Sequence, residues 1–150
     1  MQGHNLTHNV LTTQVMNSVA AGTSAQNSAS VDLRGYEGVR FIADFGTLTA
    51  TQVTSVKAQQ SSDDGVADDF SDIKGSLSAA MADGDSNKIL ILDIYRPQKR
   101  YVRLVVNRAT ANAVIDGVVA ELYRAERAAI AKDADVSAQV ILSNPAEGTA

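Results

Sequence analysis

Hydrophobic and polar positions alternate through Val39-Arg40-Phe41-Ile42-Ala43-Asp44-Phe45, with Val39, Phe41, Ala43 and Phe45 on one face and Arg40, Ile42 and Asp44 on the other. A two-residue period is that of a half-buried strand, and it predicts one over 38–45. Thr47 to Thr51 supplies turn and strand formers, and Val53, Val56 and Ala58 among polar neighbours predict a second strand over 52–60. Ser61-Ser-Asp-Asp-Gly65 predicts a turn, because Asp hydrogen-bonds its own backbone and Gly accepts positive φ.

Ile89-Leu-Ile-Leu-Asp-Ile-Tyr95 is a continuous apolar run, the pattern of a strand covered on both faces, and it is the natural candidate for a central strand. Arg96-Pro-Gln-Lys-Arg100 reads as a turn, since Pro97 has no N–H to give a ladder and pushes Arg96 away from helix. Alternation resumes over 101–108, so the two segments predict a β-hairpin with a basic tip. Between the strand pairs, residues 66–88 mix Asp, Ser and Gly with Phe70, Ile73, Leu77 and Met81; the spacing suits a short helix that Gly75 interrupts, within an irregular excursion. Val114 to Tyr123 suits a strand, while Ala120 to Lys132 carries helix formers, so a strand is placed through Tyr123 and 124–132 stays open.

Outside this region the pattern weakens. Residues 1–30 are rich in Asn, Thr, Ser, Gln and Ala, with room for one or two weak strands and a flexible connector from Gly22 to Ser30, so they read as an N-terminal arm. Residues 125–150 read as an extended C-terminal tail with an adhesive patch at Val140-Ile141-Leu142. Residues 31–124 are the body, and a chain of 150 residues is the size of a single domain.

Composition narrows the function classes. Aromatics are only 5% and Trp is absent, so Val, Ile, Leu and Ala must fill a thin core. A formal charge of -4 gives no general attraction for a polyphosphate backbone, which argues against specific nucleic-acid binding. With no Cys there are no disulfides or thiolate metal sites. The first residues do not resemble a secretory signal, and no apolar run is long enough to cross a bilayer, so no membrane partner is expected.

Candidate chemistry is sparse. His4 and His8 stand four apart, but the intervening residues make a poor helix and no nearby carboxylate or Cys completes a metal set. Asp63, Asp64, Asp68, Asp69 and Asp72, with the run Asp83 to Asn87, invite a calcium reading. The helix-loop-helix calcium loop fails, however: Lys88 occupies its Gly position and Ile94 its bidentate Glu position, and solvated turns explain the acids better. There is no Gly-x-Ser-x-Gly elbow and no phosphate-cradling glycine loop, so the expectation is a protein that is not an enzyme, with no catalytic residue, metal or cofactor. The basic cluster Arg96, Lys99, Arg100 and Arg103, continuing to Arg108, is the clearest charged feature; it reads either as a solvated tip or as a salt-bridging handle for an acidic partner.

Four segments in order carry a resemblance: Asp32-Leu-Arg-Gly-Tyr-Glu-Gly-Val-Arg-Phe41, Gln60-Ser-Ser-Asp-Asp-Gly65, Arg100-Tyr-Val-Arg-Leu-Val-Val-Asn-Arg108, and Asn112-Ala-Val-Ile-Asp-Gly-Val-Val-Ala-Glu-Leu-Tyr123. Over 32–123 the chain resembles small tailed-bacteriophage head decoration, or cement, proteins. The resemblance implies an all-β fold, an antiparallel β-sandwich of jelly-roll type with extended N- and C-terminal arms, and no catalytic residues. It further implies a structural virion protein on the outer surface of the capsid that bridges neighbouring major capsid subunits. The expected partners are the major capsid protein and the chain itself, as a trimer or other small homo-oligomer. The alternatives are a head-tail connector or tail structural protein, and a carbohydrate- or calcium-binding β-sandwich module. The interface residues expected from the residue pattern are Leu6, Val10, Leu11, Arg96, Lys99, Arg100, Val140, Ile141 and Leu142.

Overall fold

A computed structural model describes residues 4–127 and 129–149. Ten strands follow a short 3₁₀ turn, Leu6–His8: β1 Val10–Met16, β2 Val19–Gly22, β3 Gln26–Asn27, β4 Val31–Asp32, β5 Gly38–Leu48, β6 Val53–Ser61, β7 Ser71–Asp72, β8 Ile89–Tyr95, β9 Tyr101–Ala109 and β10 Ala113–Tyr123. They form two antiparallel sheets. One has the order β1-β10-β5-β8 with β2 also on β10; the other has β3-β9-β6-β7 with β4 also on β9. Because β1 and β2 share one partner, they are a single edge strand broken at residues 17–18, and β3 and β4 form a second broken edge in the same way. Eight strand positions remain, and the chain crosses between sheets at nearly every connection, which is the winding of a jelly roll. The all-β sandwich expectation holds.

The alternation read from β5 sets the core. Val39, Phe41, Ala43 and Phe45 are fully buried and face Val56 and Ala58 of β6 and Val102, Leu104 and Val106 of β9, with Ile115, Val118, Ala120 and Leu122 of β10 alongside. Two Phe rings are the only large aromatics in this layer, so a thin aliphatic interior holds the sheets together. Gly38 permits one close approach: a Cβ there would lie 2.3 Å from the Tyr123 ring.

Three expectations change. The arm expected over 1–30 is built into the sheets: β1 pairs along β10, β3 pairs with β9, and Val15 and Met16 are in the core. Residues 1–3 of that arm, and 128 and 150 of the tail, lie outside the described residues. The run Ile89 to Tyr95 is not a central strand but an outer edge, paired with β5 alone. Nor do β8 and β9 form a hairpin; they belong to opposite sheets, and 96–100 is an arch between them. The segment 73–81 is irregular, as expected, without the short helix its spacing suits. It runs beside β6, where Ile73, Ser78 and Met81 N–H groups donate to Ala58, Val56 and Thr54 carbonyls. Ser76 and Ser78 hydroxyls accept from the Ala58 and Val56 N–H groups, so side chains complete a ladder that backbone alone does not.

Candidate functional site

The basic residues of the 96–100 arch are committed within the chain. Arg100 forms a two-point contact with Asp32, at 2.7 and 2.6 Å, and this holds the Asp32 carboxyl below its ordinary range. Lys99 binds Asp68 at 2.6 Å; together with the Ser62 N–H and hydroxyl it lowers the Asp68 pKa to about 2. Arg96 reaches Glu37 at 3.2 Å. Arg103 donates to Gln59 and lies over the Phe70 ring, 4.3 Å from its centroid. Arg96, Lys99 and Arg100 are therefore partly neutralised before any partner arrives, which weakens the arch as a handle for an acidic surface, while Arg103 has a neutral amide and a ring beside it.

Arg108, the end of the same cluster by sequence, points the other way. Its guanidinium is buried between the sheets and donates to the carbonyls of Ser24, Ala20 and Ala113. Burial pulls its pKa below the ordinary value. It ties β9 to the β2–β3 connection and to the start of β10, and has no access to a partner.

The acidic residues serve turns. Asp63 accepts N–H groups from Val66, Ala67 and Asp68, Asp72 binds Lys57 and Gln59, and Asp83 accepts the Thr51 N–H. Among the described residues no three carboxylates or His side chains converge on one point. His4 is exposed, while His8 ends the 3₁₀ turn beside an open cleft.

That cleft, about 510 Å³, lies at the end of the first sheet where Tyr36, Glu37, Tyr123 and Arg124 meet the start of the tail. Glu37 accepts from Arg124, Arg96 and the Tyr95 hydroxyl, and the arginines keep its carboxyl below the ordinary range. Burial, then the hydrogen bond to Asp93, pushes the Tyr123 phenol well up, so it remains a donor. The cluster pins the ends of β5, β8 and β10.

The apolar interface candidates separate. Leu6 is exposed on the 3₁₀ turn, Val10 is half-buried at the cleft, and Leu11 packs against the core. Val140 and Leu142 are 81% and 62% exposed, with Ile141 half-buried between them. The tail passes β1, where Ile130 N–H donates to His8, Thr13 donates to Asp135, and Asn5 donates to the Leu142 carbonyl. Pattern reading missed the outer face of the first sheet. There Ile91, Ile42 and Val119 lie side by side across β8, β5 and β10, and Ile89 and Ile91 are 51% and 50% exposed. The signal was present in the uninterrupted run itself, which demands cover on two faces when the fold covers only one.

No protein-family model matches the chain, and no curated protein matches it. Among solved structures it is similar to the crystal structure of the SPBc2 prophage-derived protein YomS, at 11% identity and a TM-score of 0.41, over 75% of this chain and 93% of that one.

Proposed function

We propose that this chain is a non-enzymatic structural virion protein that decorates the outer surface of a phage capsid and stabilises it by bridging neighbouring major capsid subunits. The observation that carries this reading is where the four resembling segments fall. They reach the start of β5 and the end of β6 and supply nearly all of β9 and all of β10, so each falls on an inner strand of one of the two sheets of the jelly roll. Around that rigid body the exposed apolar residues are peripheral: Leu6 near one terminus, Ile89 and Ile91 on an outer face, Val140 and Leu142 on the tail. Contacts of this kind are individually weak, but a symmetric lattice multiplies them.

Purified protein mixed with expanded shells of its own major capsid protein should co-sediment with them and raise their rupture temperature. Shells that neither bind it nor gain heat resistance refute the proposal. A connector or tail component would use the same peripheral surfaces. Stained-gel counting of purified particles separates the two, because decoration requires copies in proportion to capsid subunits.

A further inference from the structure

We infer that the free edge of β8 in one copy accepts residues 138–143 of the tail of a second copy as an added strand. A sheet edge exposes unpaired N–H and C=O groups, and proteins usually blunt it with bulges, Pro, Lys or covering chain. The other edges here are blunted. The first-sheet edge opposite β8 is broken between β1 and β2, bulged between Gln14 and Met16, and passed by the tail. The edge made by β3 and β4 consists of two pairs of residues, and β7, equally short, hands over to the Ser-capped segment 73–81.

Among the described residues, the edge at β8 has none of these devices. It is seven residues long, keeps unbroken register with β5, and contains neither Pro nor Lys. As a terminal strand it directs every second backbone N–H and C=O away from the sheet. Its outward side chains Ile89 and Ile91 are half exposed and continue onto Ile42.

The tail carries a segment that suits this edge. Ser137-Ala-Gln-Val-Ile-Leu-Ser143 is uncharged, rich in β-branched and apolar residues, and belongs to no strand in the fold. Placed beside β8, Val140 and Leu142 would fall on one face and Ile141 on the other, which fits an edge whose outer neighbours are Ile89 and Ile91. Ahead of that segment the tail is held at the β1 side, by the Ile130 bond to His8 and the Thr13 bond to Asp135, and β1 and β8 are opposite edges of one sheet; the exposed Asn5 bond to Leu142 is given up on docking. A tail anchored there is presented to the β8 of the next molecule rather than to its own. Joining unlike edges is a heterologous contact, which closes into a ring when the rotation permits. The inference supplies a contact for the small homo-oligomer that the resemblance implies, and rests on nothing about the capsid.

The absence of native cysteine makes the test direct. Ile91→Cys protein is mixed at equal concentration with Val140→Cys or Leu142→Cys protein under mild oxidation. In at least one mixture the disulfide-linked heterodimer should form roughly tenfold faster than either homodimer, since docking raises the effective concentration of the two thiols. Ile91→Lys should shift full-length protein toward monomer in sedimentation while its thermal unfolding stays cooperative. No heterodimer excess in either mixture, or a wild type that sediments as a monomer at every concentration, overturns the inference. So does a double-cysteine chain that closes on itself independently of dilution. Shell co-sedimentation is scored separately, so protein that coats shells without cross-linking overturns this inference alone.

Discussion

At the scale of single residues, the fold depends on a few side chains with no apolar substitute. Arg108 is 5% exposed and, among the described residues, has no carboxylate against it; three backbone carbonyls accept three of its five N–H donors. Replacing a buried ion pair by hydrocarbon is often neutral, but here the acceptors are backbone groups that stay buried when the arginine goes. Arg108→Met should therefore cost on the order of 3 kcal/mol in urea unfolding; a loss below about 0.5 kcal/mol would show that water replaces the guanidinium. Gly38 is the complementary case, since a methyl group there meets the Tyr123 ring. Gly38→Ala should destabilise by about 1–3 kcal/mol, and much of that should vanish in a Tyr123→Ala background. A cycle in which the two substitutions simply add contradicts steric conflict. Neither role was legible in sequence: Arg108 continued a basic run, and Gly38 was only the first residue of the strand expected over 38–45.

At the scale of elements, strand positions were legible and strand partners were not. β5, β6, β8, β9 and β10 lie within a few residues of where alternation places them. A five-residue link between β8 and β9 suggested a hairpin, yet short links serve arches equally well, and no local pattern reports which sheet a strand joins. The arches are pinned by carboxylates: Asp32 to Arg100, Glu37 to Arg96 and Arg124, Asp68 to Lys99. All three have folded-state pKa values below their ordinary ones, with Asp68 near 2. Between the unfolded and folded pKa the unfolded chain binds more protons, so these contacts contribute fully above about pH 4 and fade as pH falls toward 2. Thermal melting followed from pH 6 to pH 2 should be flat down to about pH 4.5 and then decline. Asp68→Asn should shallow that decline, and an unchanged slope would remove Asp68 from the account.

At the scale of the whole molecule, the proposed function assigns the body and the tail separable duties. Residues 137–149 add no side chain to the buried core, and the Asn5 bond to Leu142 is exposed. Exposed hydrogen bonds of this kind contribute little, and one kcal/mol shifts the melting of a chain this size by about 2–4 °C. A chain ending at residue 136 keeps the Thr13–Asp135 and His8–Ile130 contacts, so it should melt cooperatively within about 3 °C of the full-length protein. Its binding should suffer far more, because ordering a loose segment is repaid only when Val140 and Leu142 leave water, and that happens only against another molecule. Losing the same small contact at every lattice position should turn shell binding from saturating to barely detectable in co-sedimentation. A shortened chain that melts much lower would make the tail part of the fold. One that binds shells undiminished would place adhesion on the body, with the stripe of Ile91, Ile42 and Val119 as its natural seat.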